Sequence, residues 1–283
     1  MQISYFHLDG DDDTLLVPND LACSAWSKDQ MHGVAVSGAL ARGAEQVTDA
    51  LGLGAFVPAR FTVDLFRPAR MVPGRVSAQV VRQSSRLCLV DVDLTQGEDR
   101  VARASALFLR PTESGTGELW SPAERPGPPP EDVVPPSDRP RVPFMHSSAE
   151  WSQNFLEHQN GARKESWSTA VPVVHGEPAT PFQAAAASAD GASLVLNWGS
   201  KGVEHINTDL TLTLARRPVG VEIGLSAVDR VEIDGVVVGT VAVLDREGPL
   251  GNVVVTALSN LKRAIDFADV QYDDDGQRVA PNV

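Results

Sequence analysis

The chain contains two similar strand-rich segments, one in each half of its 283 residues. The first, 61–110, opens with an apolar stretch that carries Asp64 and ends in an Arg-Pro pair. The second, 207–263, opens with the same pattern around Asp209. A repeat of this length exceeds the roughly 20–50 residues of a solenoid unit. We therefore predict two fused copies of one domain, called copy 1 and copy 2, with a pseudo-twofold interface that suits an active site.

Each copy is predicted to place one apolar helix before four antiparallel strands. The copy 1 helix, His32–Ala50, has small apolar residues on most sides, so it is expected to be buried. The copy 2 helix, Thr180–Ala189, has Pro181 in its first turn, where proline is favoured. Turns such as Asp234-Gly235 favour hairpins and an antiparallel sheet. The strands are expected near 58–67, 75–83, 86–95 and 100–110, and near 203–214, 221–232, 235–245 and 251–262.

These elements place the chain in the α+β class. Two fused copies of an antiparallel sheet wrapped around a central helix form a double hot-dog arrangement. The segment from Ser121 to Pro143 contains nine prolines, which cannot supply ladder hydrogen bonds, so it is assigned to a linker. The predicted boundaries are an N-terminal hot-dog domain at 1–120, a proline-rich linker at 121–149, a C-terminal hot-dog domain at 150–270 and an acidic tail at 271–283.

Composition limits the classes of partner. The formal net charge of −13 argues against nucleic acid, whose binding depends on Lys and Arg. No apolar run is long enough to span a membrane, and Met1–His7 does not resemble a signal peptide. Cys23 and Cys88 form neither a metal motif nor a disulfide framework, and the histidines show no ligand spacing. We therefore expect a cytoplasmic protein with no metal and no cofactor.

Four segments carry a resemblance to a known family. In order and spacing they resemble the double hot-dog acyl-CoA thioesterases, in particular the TesB-like proteins of the thioesterase-like superfamily in actinobacteria. The resemblance implies that the small-molecule partner is an acyl-CoA or a related thioester. The exposed sheet edges or faces of such a fold also permit a homodimer. The segments are Met31-His32-Gly33, Pro58–Pro68, Ile206–Leu212 and Gly248–Gly251.

The resemblance also implies a set of catalytic residues. In TesB-like enzymes an Asp, a Ser or Thr, and a Gln together orient the water that attacks the thioester. The Asp corresponds to Asp190, just after the second helix, and the Ser or Thr corresponds to Asn207, whose amide can also hold a water. The Gln corresponds to Val255, which can neither donate nor accept a hydrogen bond. Asp190 has a second interpretation as a structural residue at the end of a helix.

Further residues are candidates for binding substrate. His32 and Gly33 begin the first central helix, where His32 either contacts substrate or caps the helix. Asp64, Thr208 and Asp209 lie on equivalent strands of the two copies. The two aspartates either face a ligand or pair with an arginine such as Arg67 or Arg216, because an unpaired aspartate is unfavourable in a strand. Four arginines form either a positive rim for the phosphates of coenzyme A or a solvated face, namely Arg60, Arg67, Arg70 and Arg75.

The leading prediction is an acyl-CoA thioester hydrolase in which Asp190 orients the attacking water. Backbone N–H groups at a helix N-terminus would stabilise the oxyanion. One alternative is a protein that binds acyl-CoA or an acyl ligand without hydrolysing it, which the valine at 255 favours. The other is a hydratase or dehydratase on the same fold, for which His32 is the available histidine near a central helix.

Overall fold

The computed structural model describes residues 3–267, together with the backbone of Gln271–Tyr272 and Arg278–Val279. Its main feature is one antiparallel sheet of twelve strands to which both copies contribute. Copy 1 consists of β1 (Phe6–Leu8), β2 (Leu15–Pro18), α1 (Gly33–Ala50), β3 (Val57–Leu65), β4 (Gly74–Gln83), β5 (Leu87–Gln96) and β6 (Asp99–Leu109).

Copy 2 has two helices in place of one and a similar set of long strands. Its helices are α2 (Pro181–Asp190) and α3 (Ala192–Asn197). Its strands are β7 (Phe144–His146), β8 (Glu165–Thr169), β9 (Trp198–Gly199), β10 (Gly202–Val203), β11 (His205–Leu214), β12 (Glu222–Ile233), β13 (Val236–Asp245) and β14 (Gly248–Ser259), followed by β15 (Gln271–Tyr272) and β16 (Arg278–Val279).

The order of the strands reveals the pseudo-twofold relation between the copies. Along the sheet the order is β1-β2-β4-β5-β6-β3-β11-β14-β13-β12-β8-β7. The sequence β4-β5-β6-β3 in copy 1 is therefore mirrored by β12-β13-β14-β11 in copy 2. The fold class is confirmed as α+β with a double hot-dog arrangement, and the two half-sheets are joined into one.

Strands β3 and β11 join the two copies at the centre of the sheet. Val63 lies opposite Leu210, and both side chains are fully buried on the helix side of the sheet. Because successive side chains of a strand point to opposite faces, Asp64 and Asp209 lie opposite each other on the outer face. The central strand pair therefore places an apolar surface under the helices and two carboxylates on the other side.

The helices pack closely because the residues between them are small. A Cβ atom added to Gly38 of α1 would lie 3.6 Å from the Cβ of Ala187 in α2 and 3.2 Å from Val173. Residues Ala184–Ala187 of α2 are buried, and one hydrophobic core contains side chains from both copies. This close approach brings the N-terminus of each central helix beside the C-terminal half of the other helix.

Several sequence-based boundaries differ from the structure by a few residues. The helix predicted at Thr180–Ala189 begins one residue later, because Thr180 is its N-cap, and a second short helix, α3, follows it. Strand β7 begins at Phe144, inside the interval 121–149 assigned to the linker, and it pairs with β8 of copy 2. The structure describes all of 110–143, and that segment contains no helix or strand.

The acidic tail predicted at 271–283 lies largely outside the described residues. Within the residues that the structure does describe, every helix is too short or too polar to cross a lipid bilayer.

Candidate active site

The site is built where the N-terminus of α1 meets the C-terminal end of α2. A Cβ atom added to Gly33 would lie 2.1 Å from Oδ1 of Asp190, so the carboxylate lies directly over this glycine. The backbone N–H of Val34 donates a hydrogen bond to the same carboxylate. The side-chain amide of Asn207 in β11 donates to Oδ1 of Asp190 at 2.9 Å. The structure thus brings together Asp190, Asn207 and Gly33, three of the predicted site residues.

The environment of Asp190 changes its acidity. Burial among protein atoms raises the pKa of this carboxyl, while the hydrogen bonds from Asn207 and from the Val34 amide lower it. The raising effect is the larger one, so the pKa lies above its usual range. Asp190, Asn207 and Gly33 nevertheless keep partial exposure to solvent. A carboxylate with a raised pKa that remains accessible is suited to accept a proton from water.

His32 caps the helix on which Gly33 lies. Its Nδ1 accepts a hydrogen bond from the Ala35 N–H at 3.0 Å, and its Nε2 lies 2.8 Å from the carbonyl oxygen of Leu21. This network assigns the neutral ring with its proton on Nε2. Burial lowers the pKa of His32, which also favours the neutral form. Both ring nitrogens are therefore bonded to backbone groups. Of the two roles predicted for His32, the structure shows capping of the helix.

Tyr5 also belongs to the site, although its sequence context gave no reason to select it. Its ring packs edge to face against His32, with 5.2 Å between the ring centroids. Burial raises the pKa of the Tyr5 hydroxyl, and the charge of Asp190 raises it further. The segment around Tyr5 is held against copy 2 by backbone hydrogen bonds from Tyr5 to Pro172 and from Phe6 to Val173. A contact of this kind joins residues far apart in the chain, so no local motif predicts it.

The remaining predicted residues lie on the outer face of the sheet. Thr208 is the extra residue of a β-bulge, and its hydroxyl lies 3.0 Å from that of Thr256. The Thr256 hydroxyl also donates to the carboxylate of Asp209. Burial raises the pKa of Asp209, and the nearby charge of Asp64 adds to this effect. The bulge at Thr208 shifts the alternation of β11 by one residue, so Asp209 lies on the opposite face from Asn207 although only two residues separate them.

The arginine partners suggested for the two strand aspartates are wrong. Arg67 pairs with Asp99, and Arg216 forms two hydrogen bonds of 2.7 Å with Asp245. Asp64 instead lies 3.6 Å from Arg103 on the neighbouring strand β6. For Asp64 the predicted type of partner is therefore correct and only the strand that supplies it differs, whereas Asp209 accepts hydrogen bonds from the hydroxyls of Thr208 and Thr256.

Position 255 lies on the inner face of β14. Val255 is opposite Leu210, and Ala257, two residues further along the same face, is opposite Asn207. Val255 is almost completely buried in the core. A longer polar side chain at this position would therefore start from the same side of the sheet as Asn207. In this chain the position supplies an apolar surface.

A second carboxylate lies at the other end of the helix pair, where the sequence did not predict one. Glu45 of α1 accepts hydrogen bonds from the Thr180 hydroxyl at 2.6 Å and from the Gln183 amide at 3.0 Å, and its pKa is raised by burial. Thr180 also caps α2 through the Gln183 N–H. Thr180 and Gln183 match the spacing of a capping box, which could have drawn attention to this helix start. Each central helix therefore begins beside a carboxylate of the other.

The sheet order and the two opposed helix termini define the chain as a double hot-dog protein. Family models place it more specifically. The model described as the acyl-CoA thioesterase N-terminal domain matches residues 23–109, and the model described as the acyl-CoA thioesterase C-terminal domain matches residues 128–258. The chain belongs to the acyl-CoA thioesterase family, and the resemblance inferred from sequence is confirmed. No curated protein sequence matches the chain.

Solved structures show the same fold at low sequence identity. The tesB protein of Mycobacterium avium subs paratuberculosis superposes with a TM-score of 0.58 at 13% identity, covering 89% of this chain and 94% of that one. The acyl-CoA thioesterase II TesB2 of Mycobacterium marinum gives 0.54 at 12% identity, covering 89% and 94%. A conserved protein with a hot-dog fold from Alicyclobacillus acidocaldarius gives 0.61 at 16% identity, covering 88% and 94%.

Proposed function

We propose that the protein hydrolyses an acyl-CoA thioester with a water molecule held by Asp190 and Asn207. The observation that carries this proposal is the Asp190 carboxylate, which lies directly over the start of α1 with Asn207 bonded to it. Two elements from different copies supply the acid and the helix terminus, as expected for a site at a pseudo-twofold interface. Family membership supports the thioester as the substrate class.

The start of α1 offers one backbone donor for the oxyanion. The first N–H groups of a helix have no partner within it. Here the Ala35 N–H is used by His32 and the Val34 N–H by Asp190. Within the described part of the chain the Gly33 N–H has no acceptor, so we assign it to the thioester oxygen. Glycine also leaves this amide unshielded, because it has no side chain.

The proposed hydrolysis proceeds by attack of water on the thioester and departure of the thiol. Asp190 accepts a proton from the water while its oxygen attacks the carbonyl carbon of the thioester. The negative charge that forms on the carbonyl oxygen is stabilised by the Gly33 N–H and by the positive end of the helix dipole. The carbon–sulfur bond breaks, and the proton on Asp190 passes to the thiolate. The products are a carboxylic acid and free coenzyme A.

The test is a panel of acyl-CoA thioesters of different chain length, assayed for thiol release beside a calorimetric binding measurement. Wild-type protein should release thiol, and Asp190→Asn should bind the same thioester but release thiol at less than about one hundredth of the rate. Asn207→Ala should lose less, because Asn207 positions the carboxylate and the water. Equal rates for wild type and Asp190→Asn would remove Asp190 from the mechanism.

A second candidate function is binding of an acyl-CoA without hydrolysis, and Val255 is the observation that favours it. The family arrangement uses a polar group at this place, and the chain has a buried valine there. Binding without thiol release in the same panel would establish this function instead. We do not propose hydration, because both ring nitrogens of His32 are bonded to backbone groups.

We further propose that two chains associate through the outer face of β12–β14. Val236 lies between Ile233 on β12 and Leu258 on β14, and Val238 lies opposite Val231. All five side chains are exposed, and a contiguous apolar face of this kind is uncommon on a monomer. The same patch on a second copy would cover it around a twofold axis. We place the protein in the cytoplasm, where the thiols of Cys23 and Cys88 would stay reduced.

A further inference from the structure

A cavity of about 500 Å³ opens at the seam between the two copies, outside the group formed by Asp190 and Asn207. One wall comes from the copy 1 loop that precedes α1, including Trp26 and Gln30, and from Arg70. The other wall comes from Arg263 and Ile265 of copy 2. A neighbouring cavity of about 490 Å³ shares Arg70, so the two form a longer groove.

Short stretches of chain connect both walls to the proposed active site. Gln30 is three residues before Gly33, a separation of at most about 11 Å along an extended chain. Ile265 exchanges backbone hydrogen bonds of 2.8 and 3.0 Å with Val203, four residues before Asn207. The pantetheine arm of coenzyme A is about as long as an extended pentapeptide, roughly 17 Å. A ligand with its phosphates in the groove could therefore place its thioester at Asp190.

The charges around the groove differ from those of the whole chain. The chain carries a formal net charge of −13, yet two arginines line the first cavity against one acid, Asp29. Three exposed charged residues are adjacent in sequence to lining residues, Lys28, Lys262 and Asp266, so positive charges still outnumber negative ones around this cavity. In the part of the chain that the structure describes, Arg263 forms no ion pair within 4.0 Å. A local excess of positive charge at a cavity favours an anionic ligand.

The two arginines are placed for such a ligand. The backbone N–H of Arg70 donates to the Gln96 side chain at 2.8 Å, and the Gln96 amide returns a 2.8 Å hydrogen bond to the Arg70 carbonyl, so the position of Arg70 is fixed. Its guanidinium pairs with Asp29, and both side chains are more than half exposed. An exposed pair of this kind contributes little to stability, so a phosphate could replace Asp29. Guanidinium groups bind phosphates through paired hydrogen bonds.

We infer that the groove binds the phosphate-bearing nucleotide end of coenzyme A, with Arg70 and Arg263 on opposite walls contacting its phosphates. The pantetheine arm then runs along the loop before α1 to the thioester position at Gly33. The inference rests on the proposed function, since it takes the substrate to be an acyl-CoA. It assigns recognition of the nucleotide to a seam between the copies that neither copy could form alone.

The experiment compares two substrates with the same acyl group, acyl-CoA and acyl-pantetheine, which lacks the nucleotide and its phosphates. The variants are Arg263→Gln, Arg70→Gln and the double variant, with Arg82→Gln on the exposed part of β4 as the matched control. Free coenzyme A is titrated into each protein calorimetrically at low and high salt. We expect each single variant to weaken coenzyme A binding about five- to tenfold. We also expect the ratio of kcat/KM for acyl-CoA to that for acyl-pantetheine to fall by the same factor.

The outcomes separate this inference from the proposed function. A wild-type protein that binds coenzyme A through the two arginines but releases no thiol would keep the groove and overturn hydrolysis. Active protein whose substrate ratio and coenzyme A affinity are the same in wild type and the double variant would keep hydrolysis and overturn the groove. Arg82→Gln should match wild type. An equal loss in Arg82→Gln would mean that overall charge rather than the groove determines binding, and would also overturn the inference.

Discussion

Burial of the Asp190 carboxylate in the site lowers the stability of the folded protein. Burial raises the pKa of this carboxyl in the folded protein above the usual range of an aspartate, so the folded state holds this proton more tightly than the unfolded state does. A group of this type destabilises the fold at neutral pH, and stability is recovered as the pH falls through the raised pKa. Each unit by which the pKa is raised corresponds to about 1.4 kcal/mol.

We therefore predict that Asp190→Asn stabilises the protein at pH 7.5 while it abolishes hydrolysis. An asparagine oxygen can still accept the hydrogen bonds from Asn207 and Val34, and it carries no charge to bury. Urea unfolding at pH 7.5 and near pH 4.5 should show a larger gain at the higher pH. A variant that is less stable than wild type at both pH values would contradict the interpretation of Asp190 as a carboxylate whose burial destabilises the fold.

Glu45 provides the matched control for this experiment. Its pKa is also raised by burial, and it lies at the start of the other central helix. Glu45→Gln should likewise gain stability at pH 7.5, because the charge is removed while an acceptor for Thr180 remains. It should keep its turnover, since Glu45 is not part of the proposed mechanism. Loss of activity in both variants would show that the assay reports general damage.

Val255 is the residue where the family pattern and this chain differ. Because position 255 starts from the same face of the sheet as Asn207, we predict that Val255→Gln increases kcat for the best acyl-CoA by roughly tenfold, as expected of one added water-orienting group. Burial of an amide would lower stability by about 1–3 kcal/mol. Steady-state kinetics and urea unfolding test both effects, with Val255→Leu as the apolar control. A fall in kcat with an intact fold would contradict the predicted orientation.

The helix start is the element on which the site depends most. A Cβ at Gly33 would lie 2.1 Å from Oδ1 of Asp190, so Gly33→Ala should displace the carboxylate or the first turn of α1. We predict a loss of about one hundredfold in kcat, because catalysis tolerates little misplacement of its groups. Thiol-release kinetics combined with circular dichroism would separate this loss from unfolding.

Gly38 in the middle of α1 is the control for Gly33. Its added Cβ would meet Val173 at 3.2 Å, a contact that small movements can relieve, and alanine is the better helix former by about 1 kcal/mol. Gly38→Ala should therefore stay within about 1 kcal/mol of wild-type stability and keep its activity. Equal losses in both variants would show that the space between the helices, rather than the carboxylate at Gly33, limits catalysis.

At the level of elements, the sequence predicts the helices and strands that depend on local patterns. The small apolar residues of α1 and the alternating strands gave α1 and the eight long strands to within a few residues, because burial and periodicity act locally. Helix α3 is absent from the prediction, which ends the second helix at Ala189, whereas the chain continues in a helical conformation through Gly191. The partner of Asp64 could not be predicted, because it depends on which strand lies beside β3.

At the level of the whole molecule, the duplication predicted two domains but not how closely they join. The copies share one sheet and one hydrophobic core, and the site uses a helix start from copy 1 and a carboxylate from copy 2. The family resemblance predicts three residues of the site, and the structure brings them together: Asp190, Asn207 and Gly33. Tyr5 and Arg263 have no local signal, and the capping-box spacing of Thr180 and Gln183 is the one signal that points to Glu45, because each of the three acquires part of its environment from the other copy.

The outer face of β12–β14 gives a prediction for the assembled molecule. If this face joins two chains, Val238→Lys should convert a dimer into a monomer, because it would place two charges in an apolar interface. The matched control is Val81→Lys, which makes the same substitution at an exposed valine of β4 in copy 1. Light scattering coupled to gel filtration at several concentrations would measure both masses, and circular dichroism would confirm folding. A wild-type protein that is monomeric at high concentration, or a Val238→Lys variant that stays dimeric, would contradict the proposed interface.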